Sequence, residues 1–253
     1  MKKSGNNLAG HVCLITGGSK GIGAAISRRV AAEGAGLAIN YRNSEIEAKL
    51  LADEVSRSCG VPVICIKADV SKEEEVEKMF SIVESEIGAV SMLVNNAGIG
   101  LRSLLSTTSV EQWNRVMDTN LKGAFLCCRR ALPNMLKNRF GRIVNIASIW
   151  GMYGASFESV YAVSKAGLIG LTRSLAKEVG PSGITVNAIS PGPVATDMLL
   201  SELDAEEQKE LSSDIPVGRL GNPNEIAETC VFLLSSTSFI NGHNLVVDGG
   251  WKA

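Results

Sequence analysis

Histidine is almost missing from this sequence, with His11 and His243 the only two in 253 residues. Protein zinc sites draw on histidine and cysteine at close, regular spacing. The six cysteines (Cys13, Cys59, Cys65, Cys127, Cys128, Cys230) include no C-x-x-C and no framework spacing. No metal site is expected, and the thiols read as reduced, small apolar residues. Charge of one sign is also lacking. Lysine and arginine number 25 against 26 acids, a net charge of −1. That excludes the global basicity behind nonspecific nucleic-acid binding, so no nucleic-acid partner is expected. The seven prolines and the absence of any repeat exclude collagen-like and low-complexity chains. No apolar run approaches the ~18 residues of a membrane span, and the apolar stretch of a signal peptide does not follow Met1–Asn7. The expectation is a cytoplasmic protein with no membrane partner.

What is present is an alternation. Short apolar, β-branched runs (Val12–Thr16, Leu37–Tyr41, Val63–Lys67, Met92–Asn95, Arg142–Ala147, Thr185–Ile189, Asn244–Val247) take turns with segments of helical period. Those segments are Ile22–Gly34, Glu45–Arg57, Glu73–Ile87, Trp113–Leu136, Glu158–Val179 and Asn224–Leu234. Strands that are apolar throughout must be buried on both faces, the mark of a parallel sheet covered by helices. No linker of changed composition interrupts the pattern. The reading is an α/β protein over residues 1–253, one Rossmann-type, doubly wound parallel sheet of about seven strands. Ligands in such folds bind beyond the carboxyl ends of the strands.

Just there, after the first strand, stands Thr16-Gly17-Gly18-Ser19-Lys20-Gly21-Ile22-Gly23. Glycines permit positive φ and close approach of backbone to a pyrophosphate, and a helix start offers free N–H groups and partial positive charge. The spacing is G-x-x-x-G-x-G, so it is the position, first strand to first helix, that points to a dinucleotide. The end of the second strand bears on which one. An acid there would hold a ribose 2′-hydroxyl, whereas an arginine accommodates a 2′-phosphate. This chain has Asn40-Tyr41-Arg42-Asn43 and no acid before Glu45. Arg42 and Lys20 are placed to meet a phosphate, and NADP(H) is the expected cofactor.

Tyr161-Ala162-Val163-Ser164-Lys165 sets a phenol and an amine one turn apart on one helical face. Ser148, at the end of the strand Arg142–Ala147, precedes that tyrosine by 13 residues. Tyrosine titrates near 10, and a proton donor works best near the ambient pH. A shift of about three units needs on the order of 4 kcal/mol of preference for the phenolate. One ammonium at ~4 Å in an effective dielectric of ~20 supplies about that. Ser148 can hold a carbonyl oxygen while Tyr161 protonates it.

With these residues in view, the chain from about Leu8 to Trp251 resembles the short-chain dehydrogenase/reductase family. The matching elements are Thr16–Gly23, Asp69, Asn95-Asn96-Ala97-Gly98, Asn120, Ser148, Tyr161, Lys165 and Pro191-Gly192-Pro193-Val194-Ala195-Thr196. The resemblance implies that Asp69 and Val70 hold an adenine and that Asn96, Ala97 and Gly98 line the cofactor. It implies that Asn120 kinks a helix and relays protons through water to Lys165, and that Val194 and Thr196 grip the carboxamide. It further implies a homotetramer. Ser91 and Asn241 depart from the usual pattern, at positions away from the chemistry.

Within the family the chain is most similar to 3-oxoacyl-[acyl-carrier-protein] reductases, through Tyr161–Gly170, Gly183–Pro191 and Val246–Gly250. Acyl carrier protein, being acidic, would dock on a basic patch, for which Arg129, Arg130, Arg139 and Arg142 are candidates. Ser148-Ile149-Trp150-Gly151 and Gly154-Ala155-Ser156 look instead like reductases of a ketone on a modified lysine of elongation factor P, with Trp150 and Tyr153 as rim residues. A third possibility is a nucleotide-binding sensor of the same fold without catalysis. Residues 193–215 read as a mobile substrate lid, in which Met198, Leu199, Leu200 and Leu203 either cover the site or pack on their own domain.

Overall fold

The computed structural model describes residues 7–201, 203–235 and 239–252. Seven parallel strands form one sheet in the order β3-β2-β1-β4-β5-β6-β7. They are β1 (Val12–Ile15), β2 (Gly36–Tyr41), β3 (Val63–Lys67), β4 (Met92–Asn95), β5 (Gly141–Ile146), β6 (Ile184–Pro191) and β7 (Asn244–Val247). Because side chains alternate across a pleated strand, the buried strands feed two cores. Cys13 and Ile15 of β1 join one, with Ile26 and Val30 of α1 (Gly21–Ala32), Leu51 and Val55 of α2 (Glu45–Cys59) and Cys230 of α10 (Pro223–Ser235). Val12 and Leu14 join the other, with Met79 and Phe80 of α3 (Glu73–Glu86), Leu126 and Met135 of α5 (Gly123–Asn138) and Leu175 of α7 (Ser159–Val179).

β1 lies between β2 and β4, so successive crossovers leave it in opposite directions and open a crevice at its carboxyl end. The strand spans agree with the sequence reading to within two residues at each end. The long helix read over Trp113–Leu136 is not continuous. α4 (Val110–Met117) runs into a π-helical turn, Asp118–Lys122, before α5 begins. Such a turn admits one extra residue per turn and often marks a functional position; a period read by eye passes over it. Three further helices were not read individually: α6 (Trp150–Tyr153), α8 (Asp197–Leu200) and α9 (Ala205–Asp214). Among the described residues no helix is long and apolar enough to cross a membrane.

Candidate active site

α7 carries Tyr161 and Lys165 on one face, and the Lys165 ammonium lies 5.6 Å from the centre of the Tyr161 ring. Lys165 is buried and donates to the Ile146 carbonyl at 2.7 Å. Burial penalises its charged form and pulls the amine down to about 8. Ser148, also buried, lies two residues beyond β5, and its Oγ accepts from the Trp150 N–H at 3.2 Å. Gly151 brings the two regions together. A Cβ there would lie 2.7 Å from the Lys165 carbonyl carbon and 2.9 Å from Ala166 N, so α6 rests backbone to backbone on α7 beside the lysine.

Asn120, in the π turn, is a clamp. Its Oδ1 accepts from Ile99 N at 2.8 Å. Its Nδ2 donates to Ile99 O and to Ser164 Oγ, both at 3.0 Å. Ser164 Oγ in turn donates to Tyr161 O at 2.7 Å. Ser164, fully buried, was missed in the sequence because a serine next to a lysine carries no distinctive signal. Gly98 lies over the same group: a Cβ on it would be 3.4 Å from Asn120 Oδ1 and 3.5 Å from Lys165 Nζ.

The glycine loop lies across the end of β1. Gly17 and Gly21 take φ of +59° and +50°. Gly23 serves packing, since a Cβ on it would clash with the Gly17 carbonyl and the Asn96 amide. Asn96 Nδ2 donates to Thr16 O and Gly17 O, while Thr16 Oγ1 accepts from the backbone N–H groups of Asn96 and Ala97. Asn40 Oδ1 accepts from Gly17 N at 3.2 Å. Helix α1 starts with Lys20 at its N-cap, without a side-chain cap or an acid in the first turn. Its leading N–H groups and dipole therefore suit an anion. Ser19 Oγ lies 2.6 Å from Ser44 Oγ. A cleft of about 210 Å³ beside this loop is lined by Gly17, Arg42, Asp69, Val70, Ala97 and Gly98 among others. These residues fit a dinucleotide.

The two cations picked out for a phosphate differ in setting. Arg42 lines the cleft and lies 3.8 Å from Asp69. Burial pushes the Asp69 carboxyl up, but hydrogen bonds from Ser71 and the nearby Arg42 leave it below its usual value. Lys20 forms a 2.7 Å ion pair with Glu47 of α2. On the far side, Pro191 ends β6 and Val194 bridges to Gly221. Thr196 Oγ1 caps α8, and its methyl comes within 3.3 Å of where a Gly21 Cβ would stand. In residues 193–215, read from the sequence as a lid, Leu199 and Leu203 are partly covered and Leu200 is 38% exposed; the Met198 side chain lies outside the described residues.

The four arginines proposed for docking do not form one free patch. Arg129 pairs with Glu73, and Arg130 with Glu77 and Glu84, all on α3. Arg139 donates to Pro181 O. Arg142 stands at the start of β5, opposite the Ser148 end, over the Phe140 ring and bonded to Gly183 O.

A dinucleotide crevice joined to a serine, a tyrosine and a buried lysine defines an oxidoreductase of the Rossmann type. The family model described as enoyl-(acyl carrier protein) reductase matches residues 17–252. The chain is 40% identical over 238 residues to a 3-oxoacyl-[acyl-carrier-protein] reductase of Staphylococcus aureus, covering 94% of this chain and 96% of that protein. It is 43% identical over 239 residues to a 3-oxoacyl-[acyl-carrier-protein] reductase of Bos taurus, covering 94% and 97%. A crystal structure from Agrobacterium tumefaciens, assigned provisionally as a gluconate dehydrogenase, superposes with a TM-score of 0.91 at 35% identity over 97% of both chains. The chain belongs to the short-chain dehydrogenase/reductase family of nicotinamide-dependent oxidoreductases.

Proposed function

We propose that the protein reduces 3-oxoacyl thioesters on acyl carrier protein to 3-hydroxyacyl forms, using NADPH, in fatty-acid synthesis. The observation that carries this is the buried Lys165 facing the Tyr161 ring, together with the activity named for relatives such as those of Staphylococcus aureus and Bos taurus. Ser148 donates a hydrogen bond to the ketone oxygen, and Tyr161 gives it a proton. Lys165, charged, favours the phenolate left behind. Asn120 holds the helix that carries both. A reduced nicotinamide, when bound, supplies the hydride. The N–H groups after Lys20 would hold its pyrophosphate, and Arg42 the 2′-phosphate. Asp69 and Val70 would hold the adenine, and Val194 and Thr196 the carboxamide.

The test is NADPH oxidation with the purified protein against acetoacetyl-acyl carrier protein, a small diketone and the ketone-modified elongation factor P. Turnover of the carrier thioester supports the reading; turnover of only the elongation factor replaces it. Undiminished reduction by Tyr161→Phe would refute the mechanism.

A further inference from the structure

The five residues that follow β7 touch three segments that lie far apart in the chain. Gly192 packs on Asp248 so closely that a Cβ on it would lie 2.7 Å from the Asp248 Cβ. Gly249, at φ +66°, rests on the residues after α9: a Cβ there would be 2.6 Å from Val217 Cγ2 and 2.9 Å from Ile215 Cγ2. Beyond it the Trp251 ring meets Trp150 of α6, with 5.2 Å between ring centres and a 60° tilt. Tyr153 Oη donates to Lys252 O at 2.7 Å. The Lys252 ammonium lies 4.8 Å from the Trp251 ring and 5.7 Å from the Trp150 ring. The Asp248 carboxylate fixes the turn by accepting from Gly250 N and Lys252 N, both at 2.9 Å.

These contacts lead back to the chemistry. Trp150 N is the donor to Ser148 Oγ, so the residue whose ring Trp251 covers is bonded to the serine that receives the ketone. Gly192 immediately precedes, and Ile215 ends, the segment 193–215 read as a lid. None of the five residues lines the cleft at Arg42 and Asp69.

We propose that Asp248–Lys252 is a strap that positions the substrate half of the site: Trp251 sets Trp150 and through it Ser148, while Asp248 and Gly249 hold both ends of the lid. The proposal rests on the reading that a ketone binds at Ser148. Trp251 is a positioning residue, since it acts through Trp150. The arrangement demands a split in which ketone binding and turnover depend on the strap and dinucleotide binding does not.

The experiment compares Trp251→Ala, Trp251→Phe and Tyr153→Phe in the full chain. It reads kcat, KM for ketone and for NADPH, Tm, and amide hydrogen exchange at 149–153, 191–195 and 215–217. Trp251→Ala is expected to raise the ketone KM about tenfold and lower kcat, because small misplacements near a reacting centre are costly. KM for NADPH should stay within about twofold, exchange should quicken in all three segments, and Trp251→Phe should restore most of the loss. An unchanged ketone KM overturns the proposal, as does a parallel rise in both KM values with a falling Tm, or unaltered exchange at 149–153. Should Trp251→Ala fail to fold, Tyr153→Phe, which removes the bond to Lys252 O, decides it by the same exchange readout. If the unsubstituted protein turns over no ketone, it is the functional reading that fails, and exchange still judges the strap.

Discussion

Lys165 aims its ammonium at Tyr161 from within the same helix, 5.6 Å from the ring centre, while donating to the Ile146 carbonyl at the end of β5. One buried amine so joins Tyr161, the proposed proton donor, to the strand that delivers Ser148. Burial that strengthens its field on the phenol also weakens its own hold on a proton.

A pH dependence results. The amine is charged below about 8 and neutral above it, and only the charged form favours the phenolate. kcat/KM for ketone reduction should be level below that value and fall as pH rises through it. Lys165→Met should remove this limb and lower kcat by about a hundredfold or more. A profile still rising at pH 9 would contradict the assignment.

Arg42 lies in the dinucleotide cleft, and β2 ends without an acid. Arg42→Ala should cut kcat/KM with NADPH about tenfold, near 1.4 kcal/mol, and leave NADH turnover nearly unchanged. Equal kcat/KM for both cofactors in the unsubstituted enzyme would remove the argument from this arginine.

Asn120 spends its whole side-chain amide on Ile99 and Ser164. Asn120→Ala leaves the Ile99 N–H and carbonyl without this partner and should destabilise the fold by about 2–6 kcal/mol, at 1–3 kcal/mol for each of the two groups. Urea unfolding measures this. Ser164→Ala, which removes the other end of the clamp, should cost less when added to Asn120→Ala than alone.

Phe157 holds φ +63°, a left-handed conformation that a bulky L-residue adopts only under constraint, and donation from Ser103 N to its carbonyl helps to keep it there. Phe157 is 47% exposed. Phe157→Gly should therefore be more stable than Phe157→Ala by about 1 kcal/mol, the steric cost of a Cβ in that region. Thermal melts of the two variants provide the comparison, and equal stability would mean the backbone carries no strain.

Much of this was legible in the residues themselves. Strands apolar on both faces can be stable only between two helical layers, so Val12–Ile15 and Met92–Asn95 announced a covered parallel sheet. Tyr161 and Lys165 are tied by helix geometry alone, and the glycines after β1 by their φ. Cys13, Cys127, Cys128 and Cys230 are buried and free, as small apolar residues would be.

Long-range packing was out of reach. Whether Lys20 meets a ligand or Glu47, and whether Arg129 and Arg130 stay free or pair with α3, depends on which helix lies alongside. Likewise Trp251 reaches Trp150 across about a hundred residues of chain. Local sequence sets dihedral preference and periodicity, which fix the elements and any chemistry confined to one of them. Contacts between distant elements arise only when the whole sheet closes, because they depend on the summed packing of the chain rather than on neighbours in sequence.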